Sequence, residues 1–215
     1  MEPMPRIYLA TTNPGKLREL QEAAQPCGVE VEVLPGLGTI PPAVENGDTF
    51  EENARIKAEY YSHHADGRLV LAEDSGLEVD ELQGAPGVYS ARYAAILKDG
   101  IAGHENSDDQ ANNKALIAQL ERLPPGPHSG RYVCVMALAR DGKTLATVRG
   151  EAEGELIAKP RGAGGFGYDP LFYLPKLGKT FAELPLAEKR RHSHRGQAFR
   201  RFVDWYNSAE AQAQL

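Results

Sequence analysis

Apolar positions along the chain repeat with two periods, and the period switches several times. Arg6 to Ala10 is a short apolar run that predicts a buried strand. From Gly15 to Gln25 the spacing becomes helical, with Leu17, Leu20 and Ala24 on one face. Val29, Val31 and Val33 then alternate with acidic residues, the period of a half-exposed strand. A Pro/Gly loop from Pro35 to Asp48 follows. Thr49-Phe50-Glu51-Glu52 is a capping box, and the helix it opens is expected to run to about His63 with Phe50, Ala54, Ala58 and Tyr61 on one side. Leu69 to Ala72 predicts a second buried strand, ending in Glu73-Asp74-Ser75-Gly76.

The Gly- and Pro-rich stretch from Leu77 to Tyr93 predicts short strands and turns. Ser107 with Gln110 reads as the cap of a helix reaching about Arg122, packed by Leu116, Leu120 and Leu123. Arg131 to Arg140 is a near-continuous apolar strand, and Asp141-Gly142 is a two-residue hairpin turn into a strand from Thr144 to Arg149. After the glycine-rich loop from Gly162 to Tyr168, Leu171 to Leu174 is a short strand. The last helix, from about His194 to Ser208, has the stripe Phe199, Phe202, Val203 and Tyr206. No internal repeat, low-complexity tract or linker interrupts the pattern. Alternating strands and helices with one long hairpin predict an α/β fold built on a mixed sheet. A chain of 215 residues is most simply one domain, 1–215, large enough to bury a core without disulfides.

Charge narrows the partners. Against 24 basic side chains stand 30 acidic ones, a net charge of −6 that argues against broad nucleic-acid affinity. The basic cluster Lys189-Arg190-Arg191, with His192, His194 and Arg195, reads on charge alone as a solvated helix end. Cys27 and Cys134 have no metal-ligand spacing and read as reduced thiols of a cytoplasmic protein. No apolar stretch reaches the roughly 20 residues that cross a bilayer, so no membrane partner is expected.

Four segments concentrate chemistry. Thr11-Thr12-Asn13-Pro14-Gly15-Lys16 joins the first strand to the first helix, where backbone N–H groups and a lysine can meet a phosphate. It is not a Walker A loop, because Ala10 and Leu17 replace the required glycine and hydroxyl. Glu73-Asp74-Ser75-Gly76 places two carboxylates at a strand end, where a hard cation and a water could be held; local sequence equally allows a plain turn. Neighbours on a strand point to opposite faces, so Glu73 and Asp74 do not both face one ligand, and Asp74, the nearer to the loop, is the preferred one. Glu45, Asn53 and Lys57 form a third group; Lys57 shares its helix face with apolar residues and is read either as snorkelling or as facing a polar cleft. The fourth is Gly164-Gly165-Phe166-Gly167-Tyr168-Asp169-Pro170 with Lys189 and Ser193-His194-Arg195-Gly196, where glycines allow close approach to a planar ligand and Phe166 offers a stacking face.

These segments, with Thr49-Phe50-Glu51-Glu52-Asn53-Ala54 and Gly84-Ala85-Pro86-Gly87-Val88-Tyr89-Ser90-Ala91-Arg92, occur in an order and wording that resemble the inosine/xanthosine triphosphate pyrophosphatase family. The resemblance runs from about Ile7 to the last helix. It implies a long mixed central sheet flanked by helices, two lobes with an active-site cleft between them, and a homodimer. It also implies magnesium-dependent hydrolysis of ITP, dITP and XTP to nucleoside monophosphate and pyrophosphate. By the same resemblance Thr11, Thr12, Asn13, Pro14, Gly15 and Lys16 hold the triphosphate with Lys57, and Asp74 is metal ligand and general base, with Ser75 beside it on the substrate. Glu45 and Glu73 are further metal candidates, while Phe166, Gly167, Tyr168, Asp169, Lys189, His194 and Arg195 surround the base. Glu73 stands where many relatives carry aspartate, and Thr12 where many carry glycine. A nucleotide-binding module without chemistry, and a pyrophosphatase for pyrimidine or methylated nucleotides, remain the alternatives.

Overall fold

Hydrogen bonding between strands fixes the architecture. The computed structural model describes residues 6–100 and 106–214. In chain order it contains β1 (Arg6–Leu9), α1 (Pro14–Ala24), β2 (Glu30–Val33), α2 (Phe50–Ser62), β3 (Val70–Val79), α3 (Tyr93–Asp99) and α4 (Asp109–Leu120). There follow β4 (His128–Arg140), β5 (Lys143–Leu156), β6 (Phe172–Leu174), β7 (Lys179–Thr180), α5 (Leu186–His192), α6 (His194–Tyr206) and α7 (Ala209–Gln214). The strands form one sheet in the order β2-β1-β3-β4-β5-β6-β7. β1 pairs in parallel with both β2 and β3, whereas β6 pairs antiparallel with β5 and β7, so the sheet is mixed as expected.

The chain divides into two compact units, each with its own core. The first comprises the chain up to Asp74, Cys134–Glu151 and the chain from Arg190. Its core gathers Ile7 and Leu9 of β1, Leu20 of α1, Leu71 of β3, Met136 and Leu138 of β4, and Phe199 and Phe202 of α6. The second comprises Ser75–Val133 and Ala152–Lys189. Its centre is an aromatic cluster in which Tyr132, Phe172 and Phe181 lie 4.8 to 5.8 Å apart between ring centroids. Leu77, Val79, Leu116 and Leu120 pack around it.

Local chemistry explains where the helices start. Thr49 Oγ1 accepts from Glu52 N–H while the Glu52 carboxylate accepts from Thr49 N–H, the reciprocal box read from sequence. In α4 the cap is Asp108, one residue beyond the expected Ser107; its carboxylate accepts from Ala111 N–H at 2.7 Å. An aspartate there also complements the helix dipole, which a serine does not. At the hairpin, Asp141 and Gly142 both have positive φ, 51° and 76°, as a two-residue turn requires.

One expectation changes substantially. Glu73-Asp74-Ser75-Gly76 does not end a strand: β3 runs unbroken to Val79. Leu77 and Val79 are fully buried in the second core, so the strand regains apolar anchors just after its polar residues. Asp-Ser-Gly has turn chemistry, but burial on the far side overrides it. β5 is likewise longer than Thr144 to Arg149, because it continues through half-polar residues to Leu156. The expectation of a solvated basic cluster holds only in part: Arg191 and His192 are exposed, but Lys189, His194 and Arg195 are only 2–3 % exposed.

A close backbone approach locks α6 onto β5. A Cβ placed on Gly150 would lie 2.3 Å from both Ala198 N and His194 O. Both are backbone atoms, so Gly150→Ala must push the helix away. The variant is expected to lose about 1–3 kcal/mol of stability, read as a lower urea midpoint by circular dichroism.

Candidate active site

In the first unit, the loop after β1 is organised by Asn13. Its Oδ1 accepts from Gly15 N–H at 2.8 Å and Lys16 N–H at 3.0 Å, and Thr11 Oγ1 accepts from Asn13 N–H at 3.2 Å. Pro14 occupies the first helical turn, where no N–H is needed. The first-turn amides expected to meet an anion are therefore engaged by the Asn13 cap. Thr12, Asn13 and Pro14 are exposed, whereas the partly buried Lys16 turns its ammonium toward Glu73 Oε1 at 3.5 Å.

Lys57 is not snorkelling to solvent. Its Nζ lies 2.7 Å from Glu45 Oε2 and 2.9 Å from Asp74 Oδ1, with its side chain 11 % exposed. Burial disfavours the ammonium, but the two carboxylates outweigh it and raise its pKa. Asp74 shows the opposite balance: burial pushes its carboxyl above the ordinary range, against the pull of Lys57 and Lys16. Its Oδ2 is buried and has no hydrogen-bond partner among the described residues. The result is a carboxylate with one oxygen held and one oxygen uncommitted. Asn53, on the same helix, does structural duty; its side chain accepts from Gly47 N–H and donates to Gly47 O, fixing the loop that carries Glu45.

Glu73 points elsewhere, as strand alternation requires. Arg195 Nε lies 3.0 Å from both its oxygens, the Cys134 thiol donates to its Oε2 at 2.9 Å, and Lys16 Nζ lies 3.5 Å from Oε1. Arg195 Nη1 reaches on to Glu19 Oε2 at 2.5 Å. Burial alone would raise the Glu73 carboxyl, yet Arg195 and then Lys16 hold it well below the usual carboxylate range. Burial and the adjacent Glu73 charge push the Cys134 thiol well above its ordinary value, so it stays a neutral donor. Ser193 begins α6 by accepting from Gly196 N–H at 3.0 Å, which sets His194 and Arg195 in the first helical turn.

In the second unit, the glycine loop is held by a buried ion pair. Lys189 Nζ lies 2.5 Å from Asp169 Oδ2, and the same oxygen accepts from Phe166 N–H at 2.9 Å. The Lys189 ammonium also sits 5.0 Å from the Phe166 ring centre and 5.6 Å from that of Phe181. Gly165 has φ +72° and a Cβ on it would fall 1.9 Å from Asp169 Oδ2, so only glycine fits this turn. Tyr168 is buried and donates to Ser90 O at 2.8 Å. Ser90 itself is structural: its hydroxyl accepts from Leu77 N–H and donates to Gly87 O.

The Ham1 family's sequence profile matches residues 7–205, nearly the whole described chain. The chain belongs to the Ham1 family. A relative from Acidobacterium capsulatum named dITP/XTP pyrophosphatase is 50 % identical over 194 residues, covering 90 % of this chain and 94 % of the relative. One of the same name from Thermus thermophilus is 44 % identical, covering 94 % of this chain and 91 % of the relative. Among solved structures, a HAM1 protein from Coxiella burnetii matches with TM-score 0.80 and 36 % identity, covering 96 % of this chain and all of that one. As in the chain's own fold, membership rests on the full length rather than on one motif.

Among the described residues, no three His, Cys, Asp or Glu side chains gather into a cage for a cation. A hard divalent ion that is shared with substrate phosphates needs only one or two protein carboxylates. Asp74, with its buried and uncommitted Oδ2, fits that role, and Glu45 lies on the same lysine. Glu73 fits it poorly, because Arg195, Cys134 and Lys16 already take its oxygens. No described helix is long and apolar enough to cross a membrane, and both cysteines are free thiols. Sequence reasoning missed Glu19 and Cys134 as partners of the Arg195–Glu73 pair. Glu19 carried a signal, being a glutamate on the buried side of α1 three residues after Lys16; Cys134 lay hidden in an apolar strand.

Proposed function

We propose that this chain hydrolyses the deaminated purine nucleotides ITP, dITP and XTP to nucleoside monophosphate and pyrophosphate, with magnesium. The observation that carries the reading is the buried Lys57–Asp74 pair with its uncommitted Asp74 Oδ2, in a chain whose relatives are named dITP/XTP pyrophosphatases. Lys16, Lys57 and the loop residues Thr11, Thr12, Asn13, Pro14 and Gly15 would receive the triphosphate, whose charge must be offset before water can approach. Magnesium on Asp74 and Glu45 would neutralise phosphate oxygens and ease departure of pyrophosphate. Asp74 would orient the attacking water and take its proton at Oδ2 while Lys57 holds Oδ1. Water oxygen bonds to the α-phosphorus, the bond to the bridging oxygen of the β-phosphate breaks, and pyrophosphate leaves. Ser75, next along β3, would contact substrate without acting as a nucleophile. Glu73 would serve as anchor for Lys16 and Arg195 rather than as a metal ligand.

The base would be met by Phe166, Gly167, Tyr168, Asp169 and Lys189, with His194 and Arg195 contributing from the start of α6. Hypoxanthine and xanthine carry a carbonyl acceptor at position 6, where adenine carries an amino donor. A lysine or amide donor facing that position is left unpaired by adenine, at a cost of about 1–3 kcal/mol per lost partner. The same reading makes the protein a cytoplasmic homodimer, which sedimentation velocity tests directly. Measuring kcat/KM for ITP, XTP, ATP and GTP with magnesium tests the activity. A preference of about ten- to a hundredfold for ITP and XTP over ATP is expected from that cost, and equal turnover of ATP would overturn it. Chelating the divalent ion is expected to stop turnover.

A further inference from the structure

Helix α4 contributes two side chains that the mechanism above leaves unused. Asp109 Oδ2 accepts from Gly167 N–H at 2.7 Å, and Asn113 Nδ2 donates to Gly167 O at 2.9 Å. Asp109 and Asn113 are four residues apart, so they share one face of the helix. Both polar groups of a single loop residue are thus gripped by one rigid element. Gly167 has φ +61°, a left-handed conformation in which a side chain would be strained. Its neighbours on either side are Phe166 and Tyr168, and the loop runs straight on to Asp169.

The helix that does the gripping is itself tied down. Asp108 caps it, and the buried Asn112 accepts from Ala94 N–H at 2.9 Å and donates to Ala91 O at 3.1 Å. The Asn113 amide cannot simply turn over, since that would set its Oδ1 against the Gly167 carbonyl. In its present orientation Oδ1 is buried with no hydrogen-bond partner among the described residues. Donating to Gly167 O therefore leaves a buried acceptor unsatisfied, an arrangement that packing alone does not call for.

We propose that Asp109 and Asn113 form a clamp that sets base selectivity: they are positioning residues that hold Phe166 and Asp169 in the conformation that reads the purine. The inference rests on the assignment of Phe166 and Asp169 to the base, made above. Loosening the clamp lets the loop sample other conformations and raises the cost of ordering it on binding, with no effect on the phosphate chemistry.

The test is steady-state kinetics on ITP and ATP for Asp109→Ala, Asn113→Ala, Asp109→Asn and Phe166→Ala, with melting temperatures alongside. Each clamp alanine is expected to raise KM for ITP about tenfold, as loss of one hydrogen bond to a loop of this kind implies, with kcat nearly unchanged and the ITP/ATP preference narrowed. Asp109→Asn keeps an acceptor oxygen and is expected to restore most of the affinity. If the alanines do not fold, the isosteric Asn113→Asp carries the test, because it keeps the shape and loses the donor. A fall in kcat at constant KM, or a lower melting temperature with unchanged preference, would overturn the clamp. Phe166→Ala separates the two ideas: if it leaves the preference intact, the base assignment itself fails; if it collapses the preference while the clamp variants do not, only the clamp fails.

Discussion

Asp74→Asn is expected to lower kcat by about 10²–10⁴-fold, the range for removal of a positioned general base, while the protein remains folded. The amide keeps the size of the carboxyl and can still accept from Lys57 through Oδ1. Lys57 also retains Glu45 at 2.7 Å, so no buried ammonium is stranded. What disappears is the basic oxygen Oδ2, which has no partner among the described residues. Binding of a non-hydrolysable ITP analogue is therefore expected to survive within about tenfold, since only one charge of the metal and phosphate set is altered. A loss of analogue binding with single-turnover chemistry preserved would show that Asp74 holds substrate instead of acting on water. Lys57→Ala is the informative companion. It leaves the buried Asp74 without its cation, with the half-exposed Glu45 close by, and its harm should extend to folding.

The elements around Asp74 were largely readable from the chain because they follow local rules. Thr49 and Glu52 announce the start of α2 through a reciprocal cap, and Asp141-Gly142 announces its hairpin through positive φ. Strand alternation says that Asp74 and Glu73 face apart, and the choice of Asp74 rests on its place nearer the loop expected after it. What local rules could not supply was the continuation of β3 past Gly76, which depends on Leu77 and Val79 finding a second core. Short helices were also hidden. α5 spans only seven residues, Leu186–His192, most of them charged, so no apolar stripe marks it. The basic cluster misled for a related reason. Lys189 and Arg195 are buried because Asp169, Glu73 and Glu19 stand opposite them, at separations of 20 to 176 residues that no motif spans. No local pattern marks Asp109 and Asn113 either, because the loop residue they hold lies 58 and 54 residues further along the chain.

Glu73→Gln is expected to cost about 3–5 kcal/mol at neutral pH, the usual penalty for removing one partner of a buried ion pair. The glutamine can still accept from Cys134 and Arg195, but it leaves the Arg195 guanidinium with Glu19 as its remaining carboxylate on this chain of contacts. The pH dependence gives a second check. The Glu73 carboxyl is held far below its ordinary value of 4.5. Such a group adds stability at every pH above 4.5 and gives it up as pH falls from there toward the depressed value. The gap in stability between wild type and Glu73→Gln is thus expected to be constant near neutrality and to shrink only in acid. Equilibrium urea titrations at several pH values measure it; a gap that opens on acidification would contradict the ion-pair account. Activity separates the anchor role from metal ligation. If Glu73 seats Lys16, the variant shows a raised KM for ITP with an unchanged magnesium requirement. If Glu73 instead ligates the metal, the magnesium concentration for half-maximal rate rises, and the assignment of Asp74 with Glu45 as the metal pair has to be redrawn around Glu73.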